Sequence, residues 1–405
     1  MEKLLWDAGE NRRKLMSDIE RTLFYHSSGL GIEVERSPLE KMQDAMKKLF
    51  NPGYDTRGVA GFQDFHEAYT SFTGDKSIIK GSFLPQNVSE GLRSCQDFTS
   101  SSFTYALQNA LSMYLSKEYK RFPYHEEALI SDRRPTKDFR KVHSVQIGYF
   151  DELPDVDPEA GDYESIAPFG DTENEYAIGQ KGAVIFVTRR MIINDSIGLA
   201  QGMVSRMARV ARKTHAKYVW NHWINNATCP DGTAWFTSDH GNLGNDALDF
   251  ASLVTAITAL ANMTEPTPSA EKLGLDLATF RWHLVIPIDL WDLAVKKNQA
   301  RSYYTLNDLT AKVPNPCYHL FGDHNERIIA CPFLTDTNDW GVLRDVEDVP
   351  MIEMSYLNGQ EEPEFIYEQG PTESHVFQGD KWGYKVRHEY GGDLADYRGG
   401  YKSVL

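Results

Sequence analysis

Apolar and polar positions change period several times along the chain, and each change predicts an element. Residues 141–148 (KVHSVQIG) carry Val142, Val145 and Ile147 among polar residues and predict a strand; AVIFVT at 183–188 predicts a second. From residue 196 the period becomes helical. Ala200, Met203, Val204, Met207, Ala208, Ala211, His215, Tyr218, Val219 and His222 form one stripe with a spacing near 3.6. Asn194, Asp195 and Ser196 supply an N-cap, and CPDG at 229–232 supplies a stop. The predicted helix over 196–226 approaches roughly 45 Å, long for a globular domain.

The same reasoning predicts helices over 11–26, 37–50, 101–119 and 247–263. A buried strand at 282–287 runs into a helix at 288–297. Strands are predicted at 327–333, 350–357, 363–370 and 384–392, with GDKWG at 379–383 as a hairpin turn. The class is α+β. There is no βαβ repetition, no glycine-rich phosphate loop and no internal repeat.

Charge sharpens this picture. Residues 149–180 hold ten acids and no Lys or Arg, whereas the helix over 196–226 holds five bases and no acid. A solvated loop is the ordinary fate of a charge run. A structureless stretch of 32 residues between two strands is nevertheless uncommon in a compact domain unless it is functional. It also contains Tyr163, Ile166, Phe169 and Tyr176, which need something to bury against. A reach-over arm that docks on a neighbouring copy is the better reading. The candidate interface residues are Asp151, Glu152, Asp155, Asp157, Tyr163 and Phe169 on the arm, and Arg206, Arg209, Arg212, Lys213 and Lys217 on the helix.

Composition excludes several functions. A net charge of −16 argues against a dedicated nucleic-acid binder, which needs basic patches to displace counterions. It leaves open a protein that encloses nucleic acid without gripping it. Generous aromatics (20 Tyr, 20 Phe, 8 Trp) suit large cores or interfaces. The four cysteines are scattered without CxxC spacing, so free thiols and no zinc site are expected. The opening MEKLLWDAGENRRK shows no signal-peptide pattern, and no apolar run nears membrane-spanning length.

The most enzyme-like string is SDHGN at 238–242. Asp239 and His240 alternate sides on an extended chain, and His-Gly-Asn is good turn chemistry, so a structural role is expected. His215 and His222 lie on the apolar stripe at a spacing unlike HExxH, and read as core or interface histidines. No catalytic, metal-binding or cofactor-binding residues are predicted.

Six strings then carry a resemblance: YTSFTGDKSIIKG at 69–81, DFRKVHSVQIGYFDELPDVDPEAGDY at 138–163, FVTRRMIINDSIGL at 186–199, DGTAWFTSDHGNLG at 231–244, IEMSYLNGQEEPEF at 352–365 and KVRHEYGGDLADYRG at 385–399. In this order they resemble the tailed-bacteriophage major capsid protein family of the Hong Kong 97-type fold, and most nearly the head proteins of Mu-like prophages. Each string alone is weak; the ordered set is specific. It covers about residues 57–405.

The resemblance implies an N-terminal helical extension (1–56), an N-terminal arm leading into the peripheral domain (57–143) and an extended E-loop hairpin over an adjacent subunit (144–188). It implies a peripheral domain (189–244) with its spine helix at 196–226, an axial domain (245–350) and peripheral return strands (351–405). It implies a non-enzymatic major capsid protein that assembles as hexamers and pentamers into an icosahedral virion shell. That shell forms in the bacterial host cytoplasm and encloses double-stranded DNA without reading its sequence. A portal and a cementing or scaffolding protein are the implied partners, with no membrane and no cofactor. An encapsulin-like nanocompartment shell is the alternative, and an enzyme built on Asp239 and His240 the third. Some family members cross-link an E-loop lysine to a neighbouring asparagine. No Lys occurs at 149–180 here, so that bond is not expected.

Overall fold

The computed structural model of the chain describes residues 38–56, 58–62, 67–68, 71, 100–146, 153, 172–188, 190, 197–265, 272–273, 281–305, 308–347, 349–367 and 381–405. The helix expected over 11–26 lies outside them. The chain divides into two units. The first comprises residues 1–113, 188–198 and 369–381, and the second 114–187, 199–368 and 382–405. In the first, helix α1 (Pro38–Phe50) buries Ala45, Met46 and Phe50 at helical spacing.

The second unit is built on two sheets, each with its own core. Its first sheet contains β1 (Ile130–Thr136), β11 (Ile352–Leu357), β13 (Lys381–Leu394) and β12 (Glu364–Tyr367) in that order, with β4 (Gly179–Thr188) also paired to β13. β1 runs parallel to β11, and β11 and β12 run antiparallel to β13. The second sheet has the order β5 (Leu243–Gly244), β14 (Gly400–Ser403), β10 (Trp340–Leu343), β6 (His283–Ile286), β9 (Ile328–Ala330). β6 and β9 are parallel, and the connection between them contains α5 (Trp291–Gln299) and the hairpin β7 (Ser302–Thr305)–β8 (Asp308–Pro314).

Helix α2 spans Ser100–Lys120, and the long helix α3 spans Ile197–Ile224, 28 residues or about 42 Å. Ala216, Val219, Trp220 and Trp223 of α3 pack with Trp235, Phe236, Ile352, Met354 and Tyr390 into one core. The buried stripe therefore turns onto 216, 219/220 and 223 near the C-terminal end, and the indoles carry most of the buried area there. The sequence stripe had passed over Trp220 and Trp223. The second core joins Leu253, Ala256, Ile257 and Leu260 of α4 (Phe250–Ala261) to Trp282, Leu284, Trp340 and Val342.

Two expectations need correction. The stretch between the strands predicted at 141–148 and 183–188 contains a further strand, β3 (Thr172–Ala177), which pairs with β2 (Lys141–Gln146) in register Lys141↔Ala177 through Gln146↔Thr172. Its string TENEYA read as part of an acidic loop. It alternates, however: Asn174 and Tyr176 are buried while Glu173 and Glu175 are exposed. Residues 381–383 lie in β13 rather than in a turn.

Candidate functional site

The hairpin β2–β3, which brackets most of the acidic run, is held by one buried carboxylate. Chain direction leaves residues 147–171 to depart from the Gln146–Thr172 end of β2–β3. The inward face of the hairpin presents Ser144, Asn174 and Tyr176, all buried. Glu353, the second residue of β11, is 1% exposed. Its Oε2 accepts from Ser144 Oγ at 2.6 Å and its Oε1 from the Tyr176 hydroxyl at 2.6 Å. Arg134 of β1 adds charge, with Nη2 at 3.3 Å from Glu353 Oε2 and Nη1 donating to Ser144 Oγ at 2.7 Å. A buried charge is tolerated where it is paired and its lone pairs are filled, and these donors meet that need. Burial, followed by the Glu353 contact, holds the Tyr176 hydroxyl well above the usual phenol range. Asn174 Nδ2 also donates to Leu394 O at 2.6 Å.

Tyr176 thus buries within its own chain, not against a neighbour. On the outer face His143 Nδ1 meets Glu173 at 2.8 Å, and Lys141 Nζ meets Glu175 at 3.0 Å. Two of the arm's acids are therefore matched locally. Asp151, Glu152, Asp155, Asp157, Tyr163 and Phe169 lie outside the described residues. Leu153, which is described, is 86% exposed.

The five helix bases divide four to one. Arg206, Arg209, Lys213 and Lys217 are exposed, and spacings of three, four and four place them along one face. Arg206, Lys213 and Lys217 meet no carboxylate at ion-pair distance among the described residues; Arg209 lies over the Phe122 ring at 5.0 Å. Arg212 turns inward, which corrects its expected role as an outward interface residue. Its Nη1 lies 2.5 Å from Oε1 of Glu126, a fully buried carboxylate, its Nε donates to Phe122 O at 3.3 Å, and its guanidinium covers Tyr119 at 5.3 Å.

The histidines are structural. His215 is buried, with Nε2 at 2.9 Å from the Tyr356 hydroxyl and Nδ1 at 3.4 Å from Glu126. It stacks on His388 with ring centroids 5.6 Å apart. Burial lowers both, His388 to about 3, with the neighbouring His215 the next contributor to that shift. His240 does have a carboxylate partner, which sequence spacing had not revealed: Asp231 Oδ2 at 2.8 Å. Its Nδ1 faces Trp235 O at 3.0 Å, and its ring stacks on Tyr397 at 3.7 Å. These contacts close a turn.

Among the described residues no group of three or more His, Cys, Asp or Glu side chains is placed to hold a metal, and no helix is long and apolar enough to cross a membrane. Cys229, Cys317 and Cys331 are free and buried. Burial raises the Cys317 and Cys331 thiols to about 11.

The described residues form a mixed helix-and-strand body with two sheets, a long helix and four exposed bases along one face of that helix. The profile of the phage capsid protein family matches residues 172–403, more than half of the chain, and the chain belongs to that family. No curated protein matches. Solved structures with likeness include a phage-related protein from Bordetella bronchiseptica (14% identity, TM-score 0.42, covering 71% of this chain and 95% of that one). The procapsid of bacteriophage JBD30 shows 12% identity and a TM-score of 0.37, covering 74% and 75%. The holo-SrpI encapsulin complex from Synechococcus elongatus shows 9% identity and a TM-score of 0.41, covering 70% and 87%.

Proposed function

We propose that this chain is the major capsid protein of a tailed double-stranded DNA bacteriophage or prophage. It assembles as hexamers and pentamers into an icosahedral virion shell in the host cytoplasm. The family match over residues 172–403 carries the reading. The acidic run at 149–180 and the exposed bases at Arg206, Arg209, Lys213 and Lys217 support it, because separate segments of one chain carry opposite charge. One exposed ion pair contributes only about 0–1 kcal/mol, but a shell repeats it at every subunit contact.

In this reading residues 144–188 are the arm over a neighbour, 189–244 and 351–405 the peripheral domain, and 245–350 the axial domain; residues 1–56 form a helical extension and 57–143 the N-terminal arm. The net charge of −16 suits a container whose contents must leave it, since like charge keeps the wall from acting as a counterion for DNA. The chain performs no catalysis and takes no cofactor. A portal and a cementing or scaffolding protein complete the particle.

Negative-stain microscopy of purified material tests the reading. DNA-filled heads are expected. Smaller protein-filled cages indicate the nanocompartment alternative, and absence of particles at all concentrations overturns both.

A further inference from the structure

Beside the helix lies an apolar groove of about 200 Å³. Met207, Val210 and Ala211 of α3 form one wall, Val386 of β13 lines it, and Lys181 of β4 stands at its edge with His388 and Tyr390. Dry cavities of about 150 Å³ hold a benzene, so the groove has room for one aliphatic side chain. Val210 is 57% exposed although it lines this groove, which leaves an apolar surface uncovered.

Lys181 sets the charge of the site. Its Nζ is 4.5 Å from the Tyr218 ring centroid and 4.4 Å from that of Tyr390, and it donates to the Tyr390 hydroxyl at 3.0 Å. Among the described residues it meets no carboxylate, although acids outnumber Lys and Arg by 58 to 42. Burial lowers its basicity, the mark of an ammonium without a counterion. Next to it His388, 5% exposed, leaves Nδ1 without a hydrogen-bond partner. An apolar wall beside a half-buried, unmatched cation calls for a ligand that is both aliphatic and acidic.

The chain itself contains such a ligand. Leu153 is the most exposed large apolar side chain described, and it is flanked in sequence by Asp151, Glu152 and Asp155. We propose that the Lys181 groove is the docking site for the acidic arm of a second copy, with Leu153 entering beside Val210 and Val386 and an adjacent carboxylate pairing with Lys181. This rests on the shell reading and names the partner of its arm. It differs from the four-base helix face in that apolar burial, not exposed charge, supplies most of the contact. A desolvated anchor surrounded by weaker contacts is the usual form of an interface hot spot.

The test is a cysteine pair, Leu153→Cys with Val210→Cys, in the full chain, with each single variant as control. Assembled particles are treated with diamide, which takes two electrons and two protons from two thiols as the disulfide forms. The expected result is a ladder of covalent dimers and larger species on a non-reducing detergent gel, absent from both single variants and lost when Lys181→Glu is added. Leu153→Asp, a change at an exposed site that leaves the fold intact by circular dichroism, is expected to lower particle yield by about tenfold or more. Particles that give no ladder, a disulfide confined to single chains, or normal yield from Leu153→Asp overturns the inference and leaves the shell reading standing. Wild-type protein that never forms particles overturns the shell reading and this inference with it.

Discussion

The Tyr176 hydroxyl donates to the buried Glu353 carboxylate at 2.6 Å, and this bond links β3 to β11 of the first sheet. The same hydroxyl lies 2.8 Å from Ser355 Oγ. The β2–β3 hairpin is therefore tied to the sheet behind it. Removing the hydroxyl with Tyr176→Phe strips one donor from a carboxylate that water does not reach. A loss of about 1–3 kcal/mol is expected, read as a lower midpoint in denaturant unfolding. Limited proteolysis should quicken in the arm. Unchanged stability would show that Arg134 and Ser144 satisfy Glu353 by themselves.

Helix bases should separate by role. Arg212→Met leaves Glu126 buried without its strongest counterion, and truncating one member of a buried pair costs about 3–5 kcal/mol. Arg209→Glu with Lys213→Glu reverses exposed charge on the outer face. It should keep the helical circular dichroism signal and lower particle yield. Normal shells from the double variant, or a stable Arg212→Met protein, would count against this division.

Acid should loosen the core through its histidines. His388 titrates near 3 when folded, because burial disfavours its charged form, against about 6.5 when unfolded. Between those values the unfolded chain binds more protons than the folded one. Stability contributed by the neutral ring is therefore present above about pH 6.5 and lost as pH falls toward 3, by up to about 1.4 kcal/mol per pH unit. His215 shifts in the same direction. Thermal unfolding from pH 7 to 4.5 should show a shallower slope for His388→Gln than for the native chain. Equal slopes would remove His388 from the account.

His240→Ala should leave particle assembly intact apart from a modest loss at the turn. The ring closes that turn by contacts to Asp231, Trp235 and Tyr397. A hydrolytic activity that co-purifies with the protein and disappears in this variant would overturn the structural role.

Particles boiled in detergent should run as one band near the 46.0 kDa monomer. An isopeptide bond needs an amine on the arm, and residues 149–180 contain no lysine. Lys181 stands at the arm's base, where it meets Tyr390. Covalent pentamers and hexamers in that gel would place the reacting lysine elsewhere.

Elements with a strong local period were legible from residues alone. The α3 stripe from Val204 to Val219, the apolar strand at Ile352–Leu357 and the amphipathic helix α1 needed no tertiary information, because 3.6- and 2-residue periods state which face is buried. β1 was missed because ISDRRPT places Pro135 and two arginines in an edge strand. β3 was missed because its glutamates concealed an alternation whose meaning rests on Tyr176 reaching Glu353. One signal for that partner was present: Glu353 is a lone carboxylate inside the apolar string PMIEMSYL, and such a group must find donors if it is buried.

The sequence by itself determined the α+β class, the separation of an acidic run from a basic helix, and the resemblance to a capsid family whose profile matches residues 172–403. These depend on composition and local period, which survive without coordinates. Tertiary structure alone decided which charges remain available. Arg212 and Lys213 are adjacent in sequence and chemically alike, yet one is consumed by Glu126 and the other faces outward. The helix turns each residue by about 100°, and what waits at that angle comes from segments about 90 residues away. For the same reason Lys181 read as an unremarkable base in a strand until Tyr218, Tyr390 and His388 closed around it. Desolvation is a property of the assembled environment, and no residue carries it in its own name.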